Sequence, residues 1–373
     1  MGTGLTTERP RVLMLSKACV VGIYQRKLEE IARNNIDLLV LVPEFWRDER
    51  GTTPLERAYT DGYRLETIDM RFNGNFHLHH YLKLKEKIRA FRPHIVHIDE
   101  EPYNLASWQA LYHARRIKAK TVFFTWQNIA RTYPLPFRLG ERYVLKNVDY
   151  AIAGTQSALE VWREKGYTKP MTVIPQFGTD TTLFKPPENR PDRPFTIGYV
   201  GRLIEEKGVH LLVEAVSALD GDWALRILGG GPMLDFLRER VRQHGIEHKV
   251  YFDGQIPSMQ VPDYFHKLDV LALPSLTRPN WKEQFGRVIT EAMASGVVVI
   301  GSDSGAIPDV IGEAGVIVPE GDVNALATVL SQLQSDRALV AHLSLMGLDH
   351  VENHYTHQQV AADTVNVYRE MLR

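Results

Sequence analysis

Short apolar runs alternate along this chain with stretches in which apolar residues recur every three or four positions. Such runs predict buried parallel strands, and the longer period predicts helices that cover them. Strands are predicted at 11–16, 36–43, 64–69, 94–99, 121–126, 149–154, 171–175, 196–201, 224–229, 249–253, 269–274, 297–301 and 315–318. Helices are predicted at 23–34, 77–90, 103–118, 136–146 and 155–165, from Lys207, and at 285–295 and 356–372. This alternation indicates an α/β protein with parallel sheets.

The proline-rich polar segment KPPENRPDRP, at 185–194, separates two halves that share this layout but not a sequence. A chain of 373 residues is also too long for one ordinary core. We therefore predict a first domain over 1–187, a second over 188–354, and a C-terminal helix within 355–373.

The composition is that of a soluble globular protein, with 44% hydrophobic and 24% charged residues. A net charge of −1 gives no overall attraction to nucleic acid. The single cysteine, Cys19, excludes an intrachain disulfide and fits a reducing compartment, so we expect the protein in the cytoplasm. No apolar run approaches the roughly 20 residues that span a bilayer, and no signal peptide is expected before the first strand.

The segment WKEQFGRVITEAMASG carries two glutamates, Glu283 and Glu291. Its apolar positions predict a helix from about Phe285, with its end marked by a glycine. The N–H groups of Gly286 and Arg287 then lie at the helix start, where the dipole favours a phosphate. One carboxylate flanks that phosphate position and the other lies about two turns along the helix. This spacing suits the hydroxyls and the diphosphate of a nucleotide-sugar.

A second segment, TIGYVGRLIEEKGVHLLVEAVSAL, supplies two cations, Arg202 and Lys207, in the loop after the strand at 196–201. Open α/β sheets bind ligands at this end of their strands. A guanidinium fork and an ammonium suit a diphosphate. In the alternative interpretation, the two glutamates are solvated helix charges and Lys207 forms a surface salt bridge with Glu205 or Glu206.

Taken together, these motifs resemble those of the retaining glycosyltransferases of family four, which have the GT-B fold. In the second half the resemblance rests on VGRLIEEKG, ILGGGPMLDFL, VYFDGQI, LDVLALPS, EQFGRVITEAMASG and VVVIGSDSGAIPDVIGEAGVIVPEGD. In the first half it rests more loosely on RVLMLS, HIVHID and VIPQFGTDTTLFKP. It implies two Rossmann-like β/α/β domains that face each other across a cleft, with the C-terminal helix crossing back to the first domain.

The resemblance also implies a role for each matching residue. Arg202 and Lys207 would neutralise the leaving nucleoside diphosphate, Glu283 would bind hydroxyls of the transferred sugar, and Glu291 would bind the ribose. The remaining donor-binding positions would be the backbone groups of Gln284, Phe285 and Gly286 at sugar and phosphate, those of Gln255 and Ile256 at the nucleobase, and Gly22. The missing side chain of that last glycine would let the first domain approach the diphosphate.

No DxD motif lies at the expected donor site, so we expect no metal ion and no other cofactor. The nearest acidic cluster, Asp99, Glu100 and Glu101, follows a strand of the first half, opposite the expected donor site. The chain departs from the family at one position, since many relatives carry a histidine near the transferred sugar where FFTWQNIAR offers Gln127 and Asn128. Either amide can hydrogen-bond a sugar or acceptor hydroxyl, but neither can titrate, which argues against a general base there.

Two other groups of residues have two interpretations each. His77, His79 and His80 are spaced wrongly for a helical metal site. They belong either to a cleft edge that contacts the acceptor, with His79 as the candidate residue, or to a helix surface. Trp126, Tyr133 and Phe137, mixed with Arg131, Arg138 and Arg142, form either an acceptor- or membrane-facing patch or core aromatics beside a solvated basic face.

The sequence therefore predicts an enzyme that moves a sugar, with retention of configuration, from a nucleotide-sugar donor to a hydroxyl of a carbohydrate or lipid-linked acceptor. Nucleic acid is not an expected partner, and peripheral contact with a membrane stays open. A same-fold alternative is a nucleotide-sugar epimerase, a glycan synthase or a phosphorylase. An alternative of another class is a catalytically idle nucleotide-sugar binding protein. The motifs do not choose among UDP, GDP and ADP donors.

Overall fold

The computed structural model describes residues 9–48, 51–189 and 193–373. The chain forms two compact units, which we call unit 1 (Met1–Gly178 with His357–Arg373) and unit 2 (Thr179–Thr356). Each unit has its own parallel sheet with helices packed against it, as the alternating pattern predicts.

The division between the units lies earlier in the chain than the predicted boundary at residues 187 and 188. Thr179 forms an isolated parallel bridge with Thr356, and its hydroxyl donates to the Thr290 hydroxyl at 2.7 Å. These contacts attach the segment after Gly178 to unit 2. Residues 190–192 of the predicted linker lie outside the described residues.

Unit 1 is built around a seven-stranded parallel sheet and also contains two short antiparallel pairs. The strands of the whole unit are β1 (Arg11–Leu15), β2 (Asp37–Val42), β3 (Phe45–Asp48), β4 (Gly51–Pro54), β5 (Arg64–Thr67), β6 (Met70–Arg71), β7 (His80–Tyr81), β8 (Ile95–Ile98), β9 (Lys120–Thr125), β10 (Tyr150–Ala153) and β11 (Met171–Val173). Its helices are α1 (Arg26–Arg33), α2 (Leu84–Phe91), α3 (Leu105–Arg116), α4 (Phe137–Asn147), α5 (Gln156–Glu164) and the C-terminal helix (His357–Met371). The sheet order is β11-β10-β9-β8-β1-β2-β5, while β3-β4 and β6-β7 form two small antiparallel pairs.

Unit 2 contains a six-stranded parallel sheet in the order β14-β13-β12-β15-β16-β17. Its strands are β12 (Phe195–Val200), β13 (Trp223–Leu228), β14 (Val250–Gly254), β15 (Val270–Leu273), β16 (Val298–Ser302) and β17 (Val316–Val318). Its helices are α6 (Val209–Ser217), α7 (Leu234–Gln243), α8 (Val261–Phe265), α9 (Arg287–Ala294), α10 (Ile307–Ile311), α11 (Val323–Ser335) and α12 (Arg337–His354).

The unit 1 sheet is buried on both faces, and β1 shows how its sequence produces this. Side chains of a strand alternate between the two faces. Val12 and Met14 join one hydrophobic cluster, which includes residues of α1 and the C-terminal helix. Leu13 and Leu15 join the other, which includes residues of α2 and α3. A strand covered on both faces must be apolar throughout, which is why RVLML has no polar alternation.

The helix predicted at 77–90 is wrong over its first half. The Asn75 side chain accepts the N–H groups of His77 and Leu78, each at 3.0 Å, and so forms a turn. The short strand β7 follows, and α2 begins only after Lys83, whose φ of 57° is left-handed. The tertiary pairing of β7 with β6 therefore overrides the local helical pattern.

Glycine shifts the start of two helices near the predicted site. Gly208 has φ of 66° and separates a 3₁₀ turn at Glu205–Lys207 from α6. Gly286, with φ of 74°, is the N-cap of α9, which begins at Arg287 rather than at Phe285. Both glycines adopt a backbone conformation that side chains disfavour. Lys207 therefore lies in a tight turn before its helix.

The C-terminal helix is joined to the unit 1 sheet by a buried polar contact. The Tyr368 hydroxyl lies 2.6 Å from His97 Nδ1, on β8, and both residues are buried. Burial lowers the pKa of His97 to about 3, with Lys27 contributing, so the ring is neutral at neutral pH. This contact fixes the rotation of the helix on the sheet.

We predict that Tyr368→Phe lowers the free energy of unfolding by about 1–3 kcal/mol, since it leaves a buried imidazole nitrogen without its partner. Denaturant titration followed by circular dichroism measures the change. Tyr112→Phe is the control, because the Tyr112 ring is 49% exposed and its loss of a hydroxyl should change stability by less than about 0.5 kcal/mol. Equal losses in the two variants would contradict a specific role for the buried contact.

Candidate functional site

The predicted donor-side residues of unit 2 follow strands that are neighbours in one sheet. Arg202 and Lys207 follow β12, Gln255 follows β14, and Glu283 follows β15. Because these strands are parallel, their carboxyl ends meet at the same edge. Residues that are up to 81 positions apart in the sequence, as Arg202 and Glu283 are, therefore share one edge of the sheet.

Lys207 and Glu283 form the central pair of this edge. The Lys207 ammonium donates to Glu283 Oε2 at 2.5 Å, and the Ser275 hydroxyl lies 3.4 Å from the same oxygen. The Trp281 ring lies beneath the ammonium, 5.2 Å from centroid to nitrogen. The side chains are 22% and 10% exposed, so both charges are partly removed from water. Each charge is then stabilised by the opposite charge of its partner, which offsets the loss of contact with water.

Glu283 is held in place through its backbone as well as its carboxylate. Its carbonyl accepts the Ala306 N–H at 3.1 Å. At Gly305, whose φ is 60°, a Cβ would come within 2.2 Å of that carbonyl. Only glycine permits this close approach of the loop after β16 to the loop after β15. The approach fixes the position of a carboxylate that a loop would otherwise leave mobile.

A cavity of about 390 Å³ lies at the same edge of the unit 2 sheet, and Arg202 is part of its wall. Its lining residues come from the ends of β12 to β14 and from the start of α8: Val200, Gly201, Arg202, Leu228, Gly229, Gly230, Gln255, Ile256 and Val261. The structure thus brings Arg202 together with Gln255 and Ile256, as the sequence predicts. At Gly229 a Cβ would meet the Gly201 carbonyl at 1.8 Å, so the backbone itself forms this wall. A cavity of this size holds a small ligand group.

Helix α9 carries the remaining predicted donor-side residues. Phe285 is buried and its ring packs edge-on against Tyr355 at 5.7 Å, which anchors the segment before the helix. Gly286 caps the helix, and Arg287 is its first residue. Burial raises the pKa of Glu291, and Arg287 one turn away opposes this effect. Exposed Gln284 lies between the anchored residues Glu283 and Phe285.

In unit 1, the predicted residues have partners within the unit. The Gly22 N–H donates to Glu56 Oε2 at 2.6 Å, and a Cβ at Gly22 would lie 2.8 Å from both Glu56 and Ala58. The need for glycine at position 22 is therefore explained by this local packing. Gln127 is buried, with its amide nitrogen bound to the Ile129 carbonyl and its amide oxygen bound to Lys165, at 3.2 and 3.0 Å.

Asn128 is 3% exposed and follows Gln127 in the loop after β9. The three acids Asp99, Glu100 and Glu101 lie close by at the end of β8, and each has its own partners. Asp99 accepts from Ser16 and Gln176, Glu100 pairs with Lys17, and Glu101 accepts from Thr125 and Trp126. Across residues 9–48, 51–189 and 193–373, no three His, Cys, Asp or Glu side chains are grouped to hold a metal ion.

These partners give the three consecutive acids different pKa values. Burial raises the pKa of Asp99 and raises that of Glu101 to about 7. Burial also acts on Glu100, but Lys17 and His79 outweigh it and hold the pKa of Glu100 well below its usual range. Glu101 therefore titrates near neutral pH, while Glu100 stays ionised.

The placement of His79 contradicts the interpretation of the histidines as helix-surface residues. The ring is fully buried, its Nδ1 lies 3.0 Å from the Asn75 carbonyl, and its Nε2 lies 3.3 Å from Glu100 Oε2. It stacks edge-on with Trp46 at 5.4 Å. The fully buried ring leaves no surface of His79 for direct contact with an acceptor.

Three residues that contact the Lys207–Glu283 pair or Glu100 were not predicted from the sequence: Ser275, Trp281 and Lys17. Ser275 closes the motif LDVLALPS, which carried the family resemblance without a role for its serine. Trp281 lies two residues before Glu283, in a turn closed by reciprocal backbone hydrogen bonds with Arg278. An aromatic residue next to a functional carboxylate is a usable signal, because cations bind to aromatic faces.

Comparisons with known proteins match both units of the chain. The sequence model of the family described as Glycosyl transferases group 1 matches residues 180–345, and that of Glycosyltransferase Family 4 matches residues 25–181. The lipopolysaccharide core biosynthesis mannosyltransferase LpsB of Rhizobium meliloti is 30% identical over 257 residues, which are 62% of this chain and 68% of LpsB.

Two further relatives match over shorter stretches. The GDP-mannose-dependent alpha-(1-6)-phosphatidylinositol monomannoside mannosyltransferase of Mycolicibacterium smegmatis is 33% identical, over 46% of this chain and 49% of that protein. The putative colanic acid biosynthesis glycosyltransferase WcaL of Escherichia coli is 31% identical, over 56% of this chain and 53% of its own length. This chain thus spans about half the length of these two.

Solved structures with the same fold cover nearly the whole chain. A glycosyltransferase from Rickettsia africae superposes with a TM-score of 0.74 at 18% identity, over 98% of this chain and 99% of that one. A sucrose-phosphate synthase from Thermosynechococcus elongatus gives 0.69 at 21% identity over the same shares. With the sequence matches, these likenesses show that the chain has the GT-B fold, belongs to the glycosyl transferases group 1 family and is a glycosyltransferase.

Proposed function

We propose that this glycosyltransferase takes its sugar from a nucleoside-diphosphate donor bound by unit 2 and transfers it with retention of configuration. The observation that carries the proposal is the Lys207–Glu283 pair at the edge where Arg202, Gln255 and Ile256 line a common cavity. A donor needs cations for its diphosphate, carboxylates for its hydroxyls and a space for its base. These three features occur together at this edge.

In this proposal the two cations act on the leaving group. Negative charge grows on the diphosphate as the bond to the sugar breaks, and preorganised donors stabilise it without having to reorganise. Arg202 offers a planar fork at the cavity wall, and Lys207 offers a point charge held by Glu283 and Trp281. Backbone N–H groups at the start of α9 add to this field, because a helix start favours anions.

The carboxylates bind hydroxyls in this proposal, and Glu283 does not act as a covalent nucleophile. Its Oε2 accepts hydrogen bonds from Lys207 and Ser275, which stabilise the charge and make that oxygen less reactive. A carboxylate bound in this way is suited to accept from a sugar hydroxyl. Glu291, on α9, accepts from the ribose hydroxyls in this proposal.

Retention then follows from attack on the face that the leaving group occupies, with the donor phosphate accepting the proton of the acceptor hydroxyl. No side chain forms a bond to the sugar in this route. The route also needs no metal ion, because Arg202, Lys207 and the start of α9 supply the positive charge. Gln127 and Asn128 act as hydrogen-bonding residues on the acceptor side, which unit 1 provides.

The donor that we propose is GDP-mannose. Two of the relatives described above are mannosyltransferases by name, and one of these is named as GDP-mannose-dependent. The acceptor that we propose is a lipid-linked glycan, since those two relatives act in lipopolysaccharide core biosynthesis and on a phosphatidylinositol mannoside.

A lipid-linked acceptor requires contact with a membrane surface, and we propose that α4 provides it from the cytoplasmic side. Leu135 and Leu139 are 61% and 56% exposed, and the exposed Arg138 and Arg142 lie next to Leu139 on α4. Exposed leucines flanked by arginines favour binding to an anionic bilayer surface. No helix within the described ranges is long and apolar enough to cross a membrane.

We predict that GDP raises the thermal stability of the protein more than UDP or ADP does. A ligand at 100 times its dissociation constant adds about 2.7 kcal/mol to the free energy of unfolding. Differential scanning fluorimetry measures the shift, with NAD as the negative control. Arg202→Ala should abolish most of it, because the variant removes a cation from the cavity wall. Equal shifts in wild type and variant would remove Arg202 from the site, and a larger shift with UDP would replace the proposed donor.

Lys207→Ala should lower kcat by roughly 10²–10³ with a folded enzyme, since it removes one preorganised donor to the leaving group. Steady-state transfer from GDP-mannose measures the effect. Lys249→Ala is a matched control, because Lys249 also lies over a tryptophan ring, Trp223, at 4.7 Å, but at the opposite edge of the same sheet. Similar losses of kcat in the two variants would show that general destabilisation, and not charge at the diphosphate, is the cause.

Chelation tests the metal-independent part of the proposal. We expect the transfer rate to stay within about twofold when excess EDTA is added and when Mg²⁺ or Mn²⁺ is supplied afterwards. Abolished activity that a divalent cation restores would show that the two cationic side chains are insufficient. Analysis of the product by NMR gives the anomeric configuration in the same assay, and inversion would overturn the same-face route.

A further inference from the structure

Unit 1 contains a cavity of its own, separate from the cavity of unit 2. It lies at the edge of the sheet opposite to the edge that carries Asp99, Glu100 and Glu101. The cavity is about 750 Å³ and is lined by Arg11, Arg89, Arg92, Pro93, His94, Ile117, Lys118, Lys120 and Leu372. Arg11 begins β1, His94 immediately precedes β8, and Lys120 begins β9. These three strands are adjacent in the sheet, so the cavity lies across their amino ends. The donor-side residues belong to unit 2, and the cavity has no part in the proposed transfer.

All the charged residues that line this cavity are basic. Five of its nine residues are arginine or lysine, a sixth is histidine, and none is acidic. An adjoining groove shares Arg11 with this cavity and contains two acids with partners of their own. Asp37 pairs with Arg64 at 2.9 Å, and Glu66 pairs with Lys87 at 2.5 Å. Like charges collected in a concave surface raise the local potential and concentrate anions there.

Tight turns and hydrogen bonds set the backbone positions of several of these basic residues. Arg92 and Lys118 have φ of 50° and 59°, a left-handed conformation in tight turns at the ends of α2 and α3. The Arg11 Nε donates to the Arg92 carbonyl at 3.0 Å, and the Arg11 N–H donates to His94 Nδ1 at 3.1 Å. Because His94 Nδ1 accepts the Arg11 N–H, the proton of the neutral His94 ring is on Nε2, which is then a hydrogen-bond donor. A hydrogen bond therefore holds the Arg11 side chain, and the tight turns fix the backbone positions from which the Arg92 and Lys118 side chains extend.

We propose that this cavity binds a polyphosphate anion, as inorganic polyphosphate or as the phosphate chain of a nucleotide. Guanidinium and ammonium groups are the side chains that match phosphate oxygens in geometry and charge. The volume falls within the range of small-molecule sites. Its concave shape suits a discrete anion better than a flat bilayer surface. Pro93, Ile117 and Leu372 provide an apolar part of the wall, against which a nucleoside can pack.

Isothermal titration of the full chain with tripolyphosphate, at about 0.15 M salt, tests the proposal. We expect saturable binding that weakens at least tenfold in Arg92→Asn/Lys118→Asn. Asparagine is the replacement because it tolerates the left-handed backbone while removing the charge. The matched control is Arg138→Gln/Arg142→Gln, which removes two exposed charges from α4, and it should keep the wild-type affinity.

Titration with ATP under the same conditions identifies the source of the phosphates. Tighter binding of ATP than of tripolyphosphate assigns a nucleotide, and equal affinities assign the phosphate chain alone. The absence of saturable tripolyphosphate binding by the wild type overturns the proposal. So does an unchanged affinity in Arg92→Asn/Lys118→Asn when its melting temperature equals that of the wild type. A failure of GDP to stabilise the protein would not change the result of the tripolyphosphate titration, because the cavities of unit 1 and unit 2 share no lining residue.

Discussion

Because the strands of each main sheet run parallel, every strand ends at the same edge as its neighbours. The loops that follow these strands must therefore collect at that edge, whatever their separation along the chain. In unit 2 this constraint brings Lys207, after β12, to Glu283, after β15. It equally places the acids after β8 beside the loop after β9 in unit 1. The residues of the proposed transfer follow the carboxyl ends of the strands, while central strands such as β1 are buried on both faces.

The Lys207–Glu283 pair shows how such an edge is made rigid. Two partly buried charges compensate each other, and Trp281 packs against the ammonium. A backbone contact that only Gly305 permits then fixes the Glu283 carbonyl. Catalysis by a charged pair requires this rigidity, because donors that reorganise during the reaction contribute less to the transition state. In the proposed transfer, the same arrangement favours a carboxylate that binds hydroxyls over one that attacks the sugar.

Charge also distinguishes the two edges of the unit 1 sheet. Consecutive acids at the carboxyl edge differ in protonation because burial and neighbouring cations act on each separately, so that Glu100 stays ionised while Glu101 titrates near neutral pH. At the amino edge, basic residues such as Arg92 and Lys118 lie in tight turns without acidic partners among the lining residues of the cavity. One sheet thus carries two chemically distinct surfaces, and each is set by the turns at its end.

The α/β class, the main strands and the assignment of Lys207 and Glu283 to one site could be predicted from the sequence, because apolar runs and the loops between them are local properties of the chain. What packs against these residues depends on the fold. The pattern at 77–90 is helical locally, yet pairing with β6 turns part of it into β7. The burial of His79 against Glu100 and the cavity that joins Arg11 to Lys118 depend on residues distant in the chain. No local pattern encodes such contacts, since their energy exists only after the sheet has formed.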